Sequence, residues 1–224
     1  MKDLTLIMPA KNEEDSLPMV LNEIKSYKIN KILVVNKLNK KIVQIAKNYQ
    51  CKIIKQLKPG YGNAIIEGLQ KCKTKYLCIF NADGSFDPKY LPIMFKKIRK
   101  NYDLIFASRY EGNGGSKDDT IVTFVGNKIF TLIGNILFKL HISDILFTYI
   151  MAKTDTFRKL KLRSGDFRLC VEIPIKSKIK KLKYTTISTL ERKRFAGKKN
   201  VNELVDGYFI LSYLIKSFLK IKNE

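Results

Sequence analysis

The 224-residue sequence predicts an α/β protein built on a three-layer, mostly parallel sheet, and three observations carry that expectation. Short apolar runs alternate with stretches of helical periodicity through the first hundred residues, and parallel strands need crossover connections that helices supply. Polar segments rich in Gly, Pro, Asn and Asp follow those runs, where ligands of such sheets bind. The composition, 45% hydrophobic and 28% charged, is enough to bury a core and excludes disorder of the whole chain.

Leu4 to Met8, closed by Pro9, has the length and punctuation of a buried strand. Leu17, Val20, Leu21 and Ile24 then recur at helical spacing, and Glu13, Glu14 and Asp15 stand where acids favour the dipole of a first turn. The alternation continues with a strand over 32–35, a helix over 40–49, a strand over 52–54, a helix over 63–72 and a strand over 76–80. A fifth strand over 104–107 leads into a polar, glycine-bearing loop over 111–119. Residues 120–142 are strongly apolar but carry Asn127, Lys128, Asn135 and Lys139. That pattern reads as a helix on a surface or on the sheet rather than a spanning one. A strand over 145–152, a helix over 166–178, a strand over 184–190 and an amphipathic helix over 205–221 complete the reading.

The formal net charge is +23, and from residue 151 onward 19 basic residues face 7 acidic ones. Such an excess implies an anionic partner: nucleic acid, an anionic membrane surface or a phosphorylated small molecule. The start MKDLTLIMPAKNEE lacks a basic leader with a long apolar stretch, so the expected place is inside the cell. Cys51, Cys72, Cys78 and Cys170 form no CxxC pair and His141 is the one histidine, so the thiols read as buried side chains, not zinc ligands.

Two segments carry chemistry at the residue level. NADGSFDP (81–88) follows the fourth strand, and its Asp83 is the candidate ligand for Mg²⁺ or Mn²⁺. Mg²⁺ typically takes one or two protein carboxylates and completes its shell with phosphates and water. In KPGYGN (58–63), Gly60 and Gly62 permit close backbone approach to a ligand, and Asn63 opens a helix whose N–H groups can face an anion. A turn without a ligand would look the same. Neither the dinucleotide nor the P-loop glycine pattern is present, which weighs against hydride transfer and P-loop hydrolysis.

Taken in order, PAKNEE, KPGYGNAIIEGL, NADGSFDP, ASRY, Asp144 and ERKRFAGKK resemble glycosyltransferase family 2, particularly its dolichol-phosphate and undecaprenyl-phosphate sugar transferases. The resemblance runs from Leu4 to about Asn202. It implies the nucleotide-diphospho-sugar transferase fold over residues 1–200, with a helical appendage over 201–224. It also implies metal-assisted, inverting transfer from a nucleotide-diphosphate sugar to a polyprenyl phosphate or a glycan. Pro9, Ala10, Asn12, Glu13, Asn36, Gly60, Gly62, Asn63, Asn81 and Ala82 would meet the nucleotide sugar, and Arg194, Lys198 and Lys199 its diphosphate. Asp83 would hold the metal, Arg109 would meet acceptor phosphate, and Asp144 would serve a hydroxyl acceptor as base. The expected setting is the cytoplasm, peripheral at the inner face of the membrane, where an anionic surface and a homo-oligomer are conceivable partners.

The family's paired aspartates after the second strand read Asn36-Lys37 here, and its Asp-x-Asp reads Asn81-Ala82-Asp83. An amide still offers an oxygen but no charge, so base preference and metal affinity are open, and a weakened transferase is an alternative. A nucleic-acid-binding module is the second alternative, supported by charge alone. A nucleotidyltransferase is the third, without the glycine-rich loop such enzymes place after the first strand.

Overall fold

The computed structural model describes residues 1–197 and 201–223, and the predicted Lys198 and Lys199 lie outside them. In chain order the elements are β1 (Leu4–Ala10), α1 (Leu17–Glu23), a 3-10 turn (Lys25–Tyr27), β2 (Asn30–Val35), α2 (Lys40–Asn48), β3 (Lys52–Lys55), α3 (Tyr61–Lys71), β4 (Tyr76–Ile79), α4 (Tyr90–Ile98) and β5 (Leu104–Ser108). Then come β6 (Gly115–Ser116), α5 (Ile121–Phe138), β7 (Ile150–Lys153), α6 (Thr154–Lys159), α7 (Leu169–Ile179), β8 (Tyr184–Ser188), β9 (Leu190–Glu191) and α8 (Glu203–Lys222).

Seven strands form one sheet in the order β3-β2-β1-β4-β7-β5-β8. All neighbours run parallel except β7, which is antiparallel to both β4 and β5. Alternate residues of β1 serve opposite faces: Leu4, Leu6 and Met8 enter one apolar cluster and Ile7 the other. A sheet buried on both sides with helices over each face is the three-layer arrangement that the alternation predicts. Each such residue is fully buried, and truncating one to Ala costs about 2–5 kcal/mol in a core of this kind. A third cluster, with Phe138, Leu140, Ile175, Ile210 and Leu214, joins α5, α7 and α8.

Several elements depart from the sequence expectation. Glu13, Glu14 and Asp15 precede α1, whose first turn holds no acid and carries Pro18 instead. The strand expected over 145–152 narrows to Ile150–Lys153. Its preceding residues form the buried, aromatic approach of Phe147 and Tyr149. Cys51 is half-buried, while Cys72, Cys78 and Cys170 are buried, and all four are free thiols. The segment judged too polar to span is an 18-residue helix, Ile121–Phe138, of mean hydropathy 1.6, long and apolar enough to cross a membrane. Its asparagines face the protein, so they do not interrupt its outer surface.

Candidate active site

β1 lies between β2 and β4, so the chain's winding reverses at the crevice between the carboxyl ends of β1 and β4. That is where open α/β sheets bind ligands. Pro9 and Ala10 end β1, and Asn12 follows in the left-handed region at φ 61°, which Asn tolerates better than most residues. This turn brings Glu13 beside the loop after β4, and Ser16 ties the two together. Its hydroxyl donates to Glu13 Oε2 at 3.0 Å and to the carbonyl of Ala82 at 2.9 Å. Asn36 follows β2 and is partly exposed.

Asp83 is nearly buried at the floor of this crevice. Its Oδ1 accepts from the Ser85 main-chain N–H at 2.9 Å and from the Ser85 hydroxyl at 2.7 Å, which fixes the carboxylate. Its Oδ2 faces Arg194 Nη1 at 3.7 Å. Burial, opposed by the Ser16 hydrogen bond and aided by the charge of Asp83, raises the Glu13 carboxyl above its ordinary value. Two carboxyl groups thus share one partly dry crevice. Asn81 is partly buried, and its Oδ1 accepts from the Tyr61 hydroxyl at 3.2 Å; that hydroxyl also bonds Thr148 Oγ1 at 2.7 Å.

The strip after β9 lies across this loop. Arg192 N–H donates to the Ser85 carbonyl at 2.9 Å and Phe195 N–H to the Asp83 carbonyl at 2.7 Å. Gly84 sits at φ 89°, and a Cβ there would fall 2.5 Å from the Phe195 ring, so only glycine admits the ring. The strip delivers Arg194, which pairs with Asp118 at 2.7 Å as well as facing Asp83. Asp118, from the polar loop before α5, was not among the residues singled out from the sequence. The adjacent acids of Lys117-Asp118-Asp119 were its only signal.

The glycine pair has a different occupant from the one expected. A Cβ on Gly60 would meet the Gly165 carbonyl oxygen at 2.2 Å, and one on Gly62 the Ser164 carbonyl oxygen at 2.2 Å. The close approach that these glycines permit is therefore made by the chain's own 164–166 loop. α3 starts at Tyr61, two residues before the expected opening, and the Asn63 N–H donates to the Gly165 carbonyl at 2.9 Å.

Arg109 and Asp144 meet each other. Arg109 Nε donates to Asp144 Oδ2 at 2.7 Å and Nη2 to Oδ1 at 3.0 Å, while Nη1 reaches Glu191 at 3.2 Å and Asp119 at 3.4 Å. Every guanidinium nitrogen has a carboxylate partner, and both residues are buried. Burial alone would disfavour the charge on Arg109, but Asp144 and Glu191 together outweigh it and hold the guanidinium proton more tightly than usual. Burial pushes Glu191 up, against the lowering pull of Arg109. Beside this cluster, an open hollow of about 340 Å³ lies between the 110–119 loop and the start of α5, lined by Arg109, Tyr110, Ser116, Asp119, Phe124 and Lys128.

For a divalent ion, Asp83 supplies one fixed carboxylate whose Oδ2 faces Arg194, and Asn81 carries a neutral oxygen that accepts from the Tyr61 hydroxyl. No group of three His, Cys, Asp or Glu side chains able to cage a metal occurs among the described residues. The donor set fits an ion shared with phosphate oxygens of a ligand, the usual habit of Mg²⁺.

A mostly parallel seven-stranded sheet, covered on both faces and carrying an acidic loop at the switch point, defines a nucleotide-diphospho-sugar transferase fold. The glycosyl transferase family 2 model matches residues 5–161, and the chain belongs to that family. It is 31% identical over 107 residues to an uncharacterised glycosyltransferase of Mycobacterium tuberculosis, covering 47% of this chain and 48% of that one. Against the low-salt glycan biosynthesis hexosyltransferase of Haloferax volcanii it is 21% identical over 220 residues, or 95% of this chain and 53% of that one. The chain spans about half the length of these curated relatives. Among solved structures, glucosyl-3-phosphoglycerate synthase of Mycobacterium tuberculosis in complex with Mn²⁺, UDP-glucose and phosphoglyceric acid superposes with a TM-score of 0.74 at 14% identity. The superposition covers 96% of this chain and 79% of that one, and at such identity it is a likeness of fold.

Proposed function

We propose that the chain is an inverting glycosyltransferase that moves a sugar from a nucleotide-diphosphate sugar to a polyprenyl phosphate. The observation that carries the donor side is Asp83, held by Ser85 at the switch point with Arg194 across from it. The donor's diphosphate would lie in that crevice. Asp83 would hold Mg²⁺ or Mn²⁺, which would supply positive charge where the leaving nucleoside diphosphate becomes more negative. Arg194 is mounted on a strip pinned to the same loop, which would hold its guanidinium beside the diphosphate. Its planar fork suits phosphate better than an ammonium would.

On the acceptor side, the hollow beside Arg109 is polar at its floor and has Lys128 and Phe124 of α5 on its rim. Lys128 stands over the Tyr110 ring at 4.7 Å from its centroid, which keeps the ammonium at the mouth. With Arg109 engaged by carboxylates, Lys128 is the cation this lining offers to an anionic head, and Phe124 offers apolar surface to a tail. A phosphate acceptor is ionised near neutral pH and needs no strong base, consistent with an Asp144 carboxylate already engaged by Arg109.

The test is a thermal-shift screen of nucleoside diphosphates with and without Mn²⁺, followed by transfer assays from nucleotide sugars to a short-chain polyprenyl phosphate. Stabilisation by one diphosphate only with metal, and appearance of a sugar-linked lipid, are expected. Transfer to a glycan or a soluble phosphorylated acid, with none to the lipid, would replace the acceptor. Stabilisation by RNA or DNA and by no diphosphate would remove the reading altogether.

A further inference from the structure

α5 carries a second apolar side, turned away from the protein. A surface helix ordinarily turns its apolar stripe to the core and its polar residues to water. Here Asn127, Thr131, Gly134 and Phe138 face inward and are buried, and Phe130, Ile133 and Leu137 pack against the third apolar cluster. Asn127 Nδ2 donates to the Tyr110 hydroxyl at 2.8 Å, Thr131 Oγ1 accepts from the Ile145 N–H at 3.1 Å, and Asn135 exchanges two hydrogen bonds with Ile142. Outward stand Ile121, Leu132 and Ile136, exposed at 84%, 59% and 66%, with Val122, Val125 and Ile129 between them. Their positions fall within less than half a turn of the helical wheel, so they form one continuous stripe. α8 runs beside α5 in the same direction, with Gly207 against Phe130 and the Phe218 ring against Phe138, and it leaves Leu204, Tyr208 and Leu219 exposed.

We propose that the α5 stripe, with the outer side of α8, is a docking surface that lies in the headgroup region of an anionic bilayer. Charge selects this occupant. Lys139 ends α5, Lys216 and Lys222 stand on α8, all three are exposed, and the chain carries a net charge of +23. Apolar side chains rimmed by lysines match a negative lipid surface. Two copies joined through the same face would bring two strongly positive molecules together. Crossing the bilayer is disfavoured by the inner face. α5 is long enough, but spanning would strip Asn127, Thr131 and Asn135 of their hydrogen bonds and present them to hydrocarbon. The helix therefore lies flat. The surface is a property of the fold and does not require that the acceptor be a lipid.

The test compares the full chain with an Ile129→Asn, Leu132→Asn, Ile136→Asn triple variant, all three sites being exposed, in co-sedimentation with phosphatidylglycerol-containing and pure phosphatidylcholine vesicles. The wild type should bind the anionic vesicles, lose at least tenfold in affinity between low and high salt, and ignore the neutral ones. The triple variant should bind at least tenfold more weakly while keeping its melting temperature and its metal-linked diphosphate shift. Equal vesicle binding by wild type and variant overturns the proposal. So does wild-type protein that stays in solution with anionic vesicles at low salt, or a wild-type dimer that the variant converts to monomer in light scattering. Vesicle binding without transfer to polyprenyl phosphate keeps this surface and removes the acceptor; transfer without vesicle binding does the reverse.

Discussion

Arg109 and Asp144 form a buried two-pronged pair, Nε to Oδ2 at 2.7 Å and Nη2 to Oδ1 at 3.0 Å, joining the end of β5 to the residue before Ile145. The pair does more than hold two charges. Asp144 Oδ2 also accepts the Arg109 main-chain N–H at 3.2 Å, and Arg109 gathers Glu191 from β9 and Asp119 from the loop before α5. One guanidinium therefore ties together the rim on which the strip carrying Arg194 begins.

Arg109→Ala should destabilise the fold by about 3–5 kcal/mol, because it leaves several buried carboxylates without their counter-charge. Arg109→Lys keeps a charge but loses the fork and should recover only part of the loss. Denaturant melts of both variants check this. Stability unchanged in Arg109→Ala would mean that the arginine is free to meet acceptor phosphate, as the resemblance alone implies.

The sheet was legible because its strands are short apolar runs closed by breakers, which fixes β1 to β5 within a few residues. β7 was legible as a strand over 145–152 but not in its direction, which depends on what lies beside Ile150 to Lys153 in space. α4 went unread because Pro92 near its start masks a helix that tolerates proline in the first turn. Asp83 was readable from its position after β4. The partners of Arg109 were not, because Asp119, Asp144 and Glu191 are scattered through the sequence and meet only when β5, β9 and the approaches to α5 and β7 are assembled.

Gly62→Ala should cost about 1–3 kcal/mol and displace the 164–166 loop, since a methyl group has no room beside the Ser164 carbonyl oxygen. Gly60→Ala adds the strain of φ 108° and should cost more. Melting temperatures give the order. A Gly62→Ala protein as stable as wild type but deficient in diphosphate binding would restore the glycine pair to the ligand.

Glu13 makes stability depend on pH in a definite direction. Burial raises its carboxyl above the unfolded value, so the folded chain binds that proton more readily. Its favourable contribution is therefore fully present below the unfolded value near 4.5 and is lost as pH rises through the folded one. Glu13→Gln should flatten this fall, seen as a smaller difference in melting temperature between mildly acidic and neutral buffer. An equal or steeper fall in the variant would assign the dependence to Glu191, which burial shifts in the same direction.

Asn81→Asp tests the crevice from its other side. The substitution places a second carboxylate two residues from Asp83, where the family carries its Asp-x-Asp, and removes the amide beside the Tyr61 hydroxyl. Without metal, two carboxylates in a partly dry site repel, so the variant should melt below wild type. With Mn²⁺ and a nucleoside diphosphate the added charge becomes an advantage. Affinity should then rise by about tenfold, roughly 1.4 kcal/mol. Calorimetry of Mn²⁺-linked diphosphate binding at matched pH measures it. Loss of stability without any gain in affinity would show that position 81 points at Tyr61 and Thr148 rather than at the ion, leaving Asp83 as the sole anionic ligand of the pair.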